Sequence, residues 1–282
     1  MRHSFKVWAQ ETDWPTLRDC WVTADRQGFW DVVWLNDHLY PPKAPPELAI
    51  MEPWELFGGL AALTDRIRFG TMVSSNTFRH PSVLAKQAAT LDQMSSGRLE
   101  IGLGAGWKQT EHDAFGIPLP PLTERFDRLE ETLQILDGLF TSEVFSFDGR
   151  YTSIREARFE PKPVQRPRPP FVIGGAGPKR TIPIAARHAD QWNYPDFDQD
   201  FAKLESALAT FEAALMAIGR PRSDIELSVQ FRYPDDLGRM LDLVATYEGY
   251  GADHILVSFS PGTDTAVVPV VAEALAERRT QS

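Results

Sequence analysis

Short runs of β-branched and aromatic residues alternate with longer stretches in which apolar residues recur every three or four positions, and this rhythm repeats along the chain. Strands are predicted at Phe5–Gln10, Val32–Asp37, Ile67–Val73, Leu99–Gly104, Phe171–Gly175, Asp190–Tyr194, Ile225–Phe231 and His254–Phe259. Helical periodicity falls between and after them, at Thr16–Gly28, Pro53–Thr64, Pro81–Met94, Leu122–Phe140, Pro178–Arg187, Asp198–Ile218, Leu237–Tyr247 and Thr265–Arg279. Leu129, Leu133, Leu136 and Phe140 keep helical spacing, as do Phe201, Leu204, Leu208, Phe211 and Leu215, after which Gly219 stops the pattern. Glu52-Pro53 opens a helix with a proline where the missing N–H costs nothing, and with a carboxylate beside the positive end of the dipole. Eight strand-then-helix units predict an α/β fold, a closed (β/α)8 TIM barrel forming one domain over residues 1–282. A doubly wound open sheet is the alternative, and the regular spacing without a domain break favours closure.

Two places break the rhythm. Trp107–Pro121 is a polar, proline-rich insertion after the fourth strand. Glu143–Pro170 reads as an added hairpin, with Phe145, Phe147 and Tyr151 around the turn pair Asp148-Gly149. Those aromatics, with the segment around Trp107–Pro121, are expected to wall or cover a substrate site; the alternative is a hairpin packed against the barrel. Pro161-Lys162-Pro163 and Arg166–Pro170 then read as stiff extended chain.

Composition narrows the partners more than the fold. The 282 residues carry 29 Lys+Arg against 39 Asp+Glu, a formal charge of −10, which argues against nucleic acid as a ligand. A small anion is still admissible, since it needs only a few local positive groups. No uncharged apolar run of about 18 residues occurs and no leader pattern opens the chain, so no membrane association and a cytoplasmic location are expected. The single Cys20, beside Trp21 on the first helix, excludes an internal disulfide and reads as a small buried hydrophobe. The six histidines form neither HxH nor HExxH, and no GxSxG occurs, so neither a metal site nor a serine nucleophile is expected.

In a parallel barrel the active site lies at the C-terminal mouths of the strands. The second strand ends in Asn36-Asp37-His38, the third in Val73-Ser74-Ser75-Asn76, the fourth in Gly104-Ala105-Gly106-Trp107, and the fifth in Gly174-Gly175-Ala176-Gly177. Histidine is the side chain suited to proton transfer near neutrality, and a neighbouring carboxylate raises its basicity or selects its tautomer, so Asp37-His38 is a candidate acid–base pair. The competing reading is a polar strand end in which Asp37 caps a loop. Gly102-x-Gly104-x-Gly106 implies either close backbone approach to something flat or phosphorylated, or a turn required by packing; its spacing is not a dinucleotide fingerprint. Gly174–Gly177, followed by Pro178-Lys179-Arg180, reads as a phosphate cradle of free amides before a helix, with two cations in its first turn. Trp107 and Trp192 fall at strand mouths, where a flat ring can line a pocket.

Further pieces recur in a fixed order. Ala24-Asp25 and Gly28-Phe29 precede Asp37-His38, and Phe78-Arg79-His80-Pro81 precedes Ala85-Lys86-Gln87. Ser96-Gly97-Arg98-Leu99 leads into Gly102–Trp107, followed by Glu111, Phe115-Gly116, Arg125-Phe126 and Pro161-Lys162-Pro163. Gly174-Gly175 then precedes Ala185-Ala186 and Ala189–Asn193. Together these resemble the bacterial luciferase-like monooxygenase superfamily of flavin- and deazaflavin-dependent oxidoreductases, over nearly the whole chain.

The resemblance implies a barrel with an inserted segment, a cofactor ring in the mouth and its phosphate near the fifth strand. It implies that the ring rests on a bulge at the end of strand three with a non-prolyl cis peptide at Met72–Val73. Met72, Val73, Ser74 and Asn76 would then support the ring, Gly104, Ala105, Gly106 and Trp107 would flank it, and Gly174, Gly175, Ala176 and Gly177 would hold the phosphate. An Asp-His pair at the end of strand two belongs to coenzyme F420 enzymes of the family; it assigns proton exchange to His38, with Asp37 orienting the ring or the imidazole. Glu111 and Arg125 match positions used around the cofactor in FMN members, whereas Gly102 stands where those members often carry asparagine. The implied function is hydride transfer between coenzyme F420 and a small organic substrate. An FMN-dependent monooxygenase using reduced flavin and O2, and a non-catalytic flavin-binding barrel, are the alternatives. A homodimer, and a flavin or F420 reductase as partner, are further implications.

Overall fold

The computed structural model describes residues 1–42, 45 and 47–281. In chain order the strands are β1 (Arg2–Lys6), β2 (Val32–Leu35), β3 (Arg68–Thr71), β4 (Ser74–Ser75), β5 (Leu99–Gly104), β6 (Phe145–Asp148), β7 (Ser153–Ala157), β8 (Phe171–Gly174), β9 (Gln191–Pro195), β10 (Glu226–Arg232) and β11 (His254–Ser258). The helices are α1 (Trp14–Gln27), α2 (Pro53–Leu63), α3 (Pro81–Met94), α4 (Gln109–Phe115), α5 (Leu122–Thr141), α6 (Thr181–His188), α7 (Phe201–Ile218), α8 (Leu237–Gly249) and α9 (Val267–Gln281). Nine strands form one parallel sheet in the order β3-β2-β1-β11-β10-β9-β8-β5-β4, and a β3–β5 pairing closes it on itself. The two-residue β4 continues β3 beyond a bulge, so the nine strands make eight staves. This is the expected TIM barrel, and the β3–β5 ladder excludes the open sheet.

Most predicted elements lie where the periodicity puts them; β5 and α3 agree to the residue. The first strand does not: it runs from Arg2 to Lys6, paired with β11 and β2, and Val7 to Gln10 form the loop beyond it. The error has a physical source. The inward positions of β1 are Arg2, Ser4 and Lys6, so the strand face that normally advertises itself by apolar residues is polar here. Residues 178–180 form a turn, and α6 starts only at Thr181. The insertion after the fourth stave carries α4, a helix too short and polar for periodicity to reveal.

The added hairpin is real, with β6 and β7 antiparallel. Its aromatics pack outward on the barrel's helical coat and do not form a wall or lid. A Cβ on Gly138 of α5 would stand 1.9 Å from the Phe145 ring, and the Arg128 guanidinium of α5 lies 4.5 Å from the Tyr151 ring centre. The proline-rich stretch after it is irregular chain, with cis bonds at Glu160–Pro161 and Arg166–Pro167. It is held to α3 by Asp92, which accepts from the Val164 and Gln165 amides at 2.7 and 3.0 Å.

The apolar interior divides in two. The large cluster lies between the strands and the surrounding helices. Inside the barrel only Val32, Trp34, Met72, Val172 and Leu256 form a small plug, with Val73 packed on it. Below the plug the inward residues are charged: Arg2 meets Glu226 at 2.8 Å, and Glu100 receives both Arg2 at 2.5 Å and Arg68 at 2.7 Å. Above it the barrel opens into a cavity.

Candidate active site

The cavity at the C-terminal mouth measures about 270 Å³ and is lined by residues from β1, β2, the β3–β4 bulge, β8, β9, β10 and the loop into α4. Its floor is the bulge. The Met72–Val73 peptide is cis, as the resemblance implies. Three glycines let that bulge exist: a Cβ on Gly102 would stand 1.8 Å from the Thr71 carbonyl oxygen, and Cβ atoms on Gly104 and Gly174 would meet the Val73 methyls at 2.7 and 2.9 Å. Any side chain at these positions would displace the bulge, which is the backbone reason for glycine here. A hydrogen-bond chain braces it from outside: Trp54 Nε1 donates to Ser74 Oγ at 2.9 Å, Ser74 Oγ to Thr71 Oγ1 at 3.0 Å, and Thr71 Oγ1 to the Gly102 carbonyl at 2.9 Å. The Ser74 hydroxyl is therefore engaged in supporting the bulge.

His38 lines the cavity beside this floor, and its partner is not the adjacent aspartate. His38 Nδ1 bonds Glu111 Oε2 at 2.9 Å, while the other carboxylate oxygen accepts from the Leu39 and Tyr40 amides. Glu111, on α4, is fully buried. Burial pushes its carboxyl up, but the bonds from His38 and the two amides outweigh that and hold it below the ordinary carboxylate range. An ionised carboxylate only accepts, so Nδ1 carries the proton and Nε2 is left as the free nitrogen. The Trp107 ring meets His38 edge-on at 5.9 Å between centroids. Asp37 is held by Arg79 through two bonds of 2.6 and 3.2 Å, and Arg79 also reaches Glu52. Asp37 thus pins the end of β2 to the segment before α3, and Glu111 does the orienting of the imidazole.

Other predicted residues sort by position. Gly106 and Trp107 line the cavity, as do Gly174 and Gly175, whereas Asn76, Gly104, Ala105 and Arg125 stand behind it. Arg125 Nη1 donates to the Gly106 carbonyl, so this arginine shapes the loop that carries Trp107. Ala176 and Gly177 continue the loop past the cavity, and among the described residues their amides have no protein acceptor. Gly175 has φ of +119°, a conformation open to glycine. Arg180 is committed to Asp127 at 2.5 Å, so the expected pair of free cations reduces to the exposed Lys179. Trp192 is fully buried in the outer layer; its Nε1 donates to the Gly175 carbonyl at 2.9 Å and so holds the loop without lining the pocket.

Several lining residues escaped the sequence reading. Lys6, Phe197 and Gln230 lie at strand mouths whose boundaries were misplaced or whose side chains carried no motif. The signal for Lys6 was the polar alternation of Arg2, Ser4 and Lys6 itself. Asn36 Oδ1 and Gln230 Nε2 are buried without a protein partner. Buried polar atoms of this kind are rare in the absence of water or ligand. A floor formed by the Met72–Val73 bulge, a proton-bearing imidazole beside it, unpartnered amide groups above it and open loop amides at its edge fit a planar phosphorylated ring.

A parallel barrel with this bulge and mouth defines a (β/α)8 scaffold with its cavity at the C-terminal rim, and the comparisons agree. Residues 2–234 match the luciferase-like monooxygenase family, and the chain belongs to it. It is 33% identical over 244 residues to an F420-dependent glucose-6-phosphate dehydrogenase of Microbacterium testaceum, covering 84% of this chain and 69% of that one. A protein of the same description from Beutenbergia cavernae is 30% identical over 100% of this chain and 82% of its own length. Among solved structures, an F420-dependent secondary alcohol dehydrogenase in complex with an F420–acetone adduct superposes with a TM-score of 0.85 at 18% identity, over 97% of both chains. The F420-dependent tetrahydromethanopterin reductase of Methanopyrus kandleri gives 0.81 at 16% identity, over 97% of both chains. These two likenesses bear on the fold.

Proposed function

We propose that this chain is an F420-dependent oxidoreductase that moves a hydride between the deazaflavin and a small organic substrate. One observation carries the reading: His38, already hydrogen-bonded to a buried carboxylate, opens onto the same cavity as the Met72–Val73 bulge, which has room to form only because Gly102, Gly104 and Gly174 carry no Cβ. The naming of the relatives supports the choice of cofactor. Coenzyme F420, when bound, supplies a hydride donor or acceptor that resists reaction with oxygen.

The protein's own residues do the rest. Met72 and Val73 present a flat floor, Gly174 and Gly175 give the backbone close access, and the Ala176 and Gly177 amides offer donors to a phosphate. His38 Nε2 exchanges a proton with the substrate oxygen, and Glu111 stabilises the imidazolium that forms when it accepts one. Trp107 covers one side of the imidazole and limits water there. Asp37 fixes the strand end that carries His38. The alternative FMN reading drew on Glu111 and Arg125: Glu111 is taken up by His38, whereas Arg125 gives Nη1 to the Gly106 carbonyl and keeps a buried Nε without a partner among the described residues.

The same reading places the enzyme in a cytoplasmic setting as a homodimer working with an F420 reductase. The lone buried Cys20 suits a reducing compartment. Exposed Leu63 on α2 and Val83 on α3 offer apolar surface to a second copy. No helix among the described residues is long and apolar enough to cross a membrane.

Parallel fluorescence titrations of the apoprotein with F420 and FMN test the assignment. F420 is expected to quench tryptophan emission saturably and to be reduced in the presence of an oxidisable alcohol. Absence of F420 binding at saturating concentration, or tighter binding of FMN, defeats the reading.

A further inference from the structure

Beside the cavity at His38 lies a second of about 440 Å³, and the two share Lys6, Asn36, His38, Trp107 and Phe197. One wall of it is a register row that runs from buried Lys6 and Ser258 to exposed Arg232. Lys6 on β1 stands opposite Ser258 on β11, and Ser258 stands opposite Arg232 on β10; each is the last residue of its strand. Residues in one row share a face, and neighbouring strands lie about 4.8 Å apart, so two cations flank a hydroxyl across roughly 10 Å of the rim.

The surroundings support an anion there. The chain carries a net charge of −10, yet among the described residues this cavity presents Lys6 and Arg232 against the single carboxylate of Glu11, a local reversal of sign. Arg232 is exposed and forms no ion pair among the described residues. The Lys6 ammonium is buried between aromatic rings, 5.1 Å from the Trp8 centroid and 5.6 Å from that of Phe197. Trp8 is fixed in place by the bond from its Nε1 to the Phe259 carbonyl at 2.8 Å. Cations at the wall of a partly enclosed cavity attract oxyanions more strongly than the same groups on open surface.

We propose that the Lys6–Ser258–Arg232 row binds an anionic group, a carboxylate or a phosphate, on the substrate whose reacting carbon lies at His38. The rings of Trp8, Trp107, Phe197 and Phe259 cover an apolar or ring-shaped body between the two ends. The reacting end of this assignment rests on the oxidoreductase reading; the anion site does not.

Calorimetric titration of the cofactor-free protein with benzoate, phenyl phosphate and benzyl alcohol tests the row directly. At least one of the two anions is expected to bind at least tenfold more tightly than the alcohol, and their ratio distinguishes carboxylate from phosphate. Arg232→Gln is expected to weaken the anion by about 10- to 100-fold, the usual worth of a charged hydrogen bond, and to leave the alcohol unchanged. Ser258→Ala weakens it less. No binding of either anion, equal binding of the alcohol, or an unchanged anion affinity in Arg232→Gln overturns the proposal. So does a fall in F420 affinity in Arg232→Gln that matches the fall for the anion, since the row would then belong to the cofactor. Failure of the wild type to bind F420 sinks the oxidoreductase reading alone and leaves these titrations intact.

Discussion

Two buried carboxylates occupy opposite ends of the barrel, and they are held in different company. Glu100, at the base on β5, is enclosed by the guanidiniums of Arg2 and Arg68. Glu111, at the mouth on α4, is enclosed by His38 and two backbone amides. Burial raises both carboxyls, and in both the partners outweigh it and leave the group below its ordinary range. The consequence differs because arginine never gives up its proton and histidine does. The base is a permanent ionic closure; the mouth is a proton-handling pair facing a cavity. Equal burial and an equal direction of shift therefore say little about function until the partner is named.

The sharpest way to break this contrast is at the mouth. His38→Ala is expected to lower turnover by about 10²–10⁴-fold, the range for a positioned acid–base group, with the fold retained and a lower melting temperature from the carboxylate of Glu111 left on two amides. Steady-state F420 kinetics and a thermal melt check it, and retained turnover would strip His38 of its role. At the base, Glu100→Ala leaves Arg68 without a carboxylate and Arg2 with Glu226 alone, and should cost about 1–3 kcal/mol in urea denaturation while turnover per folded molecule is kept. A loss of activity without a loss of stability would reverse the assignment of the two ends.

Acid unfolding sharpens the comparison. Burial, with Arg279 nearby, pushes the His3 imidazole down to about 4 from an ordinary value of 6.5. Between those values the unfolded chain binds the extra proton, so stability falls as the pH drops from 6.5 towards 4, by roughly 3 kcal/mol for this group. The contributions of Glu100 and Glu111 are present above the ordinary carboxylate range and vanish only as the pH falls through their lower folded values. Unfolding free energies measured from pH 7 to 3 should show the first loss flattened in His3→Phe and the second retained.

Smaller effects complete the set. Glu111→Gln should reduce turnover by about 10–100-fold, as expected for a group acting through the residue it orients, and should alter the pH profile of the reaction. Gly102→Ala forces a methyl against the Thr71 carbonyl and should cost about 1–3 kcal/mol of stability, together with F420 affinity. An alanine variant that binds the cofactor normally would show that the bulge is not its seat.

Much of the scaffold was legible in the chain because helix and strand periodicities are local. Pro81 at the start of α3 and the alternating inward glycines of β5 marked their elements to the residue. The mouth rule then brought Asp37, His38, the Gly102–Trp107 run and Gly174–Gly177 forward together. The first strand was misplaced because its inward face is polar, a pattern that a barrel with a charged base permits and a hydrophobic scan rejects. Helix α4 was invisible for want of apolar spacing, and with it went the role of Glu111.

By itself, then, the order of residues determined the β/α rhythm, the glycines that make room for the bulge, and the histidine at the second strand's end, all of which depend on neighbours a few positions away. Pairing was decided only in three dimensions. Adjacent Asp37 turns to Arg79 while Glu111, 73 positions from His38, supplies its carboxylate. Lys6 and Arg232 meet across Ser258 only because the sheet closes the first stave against the last. Local spacing constrains backbone conformation, whereas charge partners are chosen by register and closure, which bring distant residues to one face.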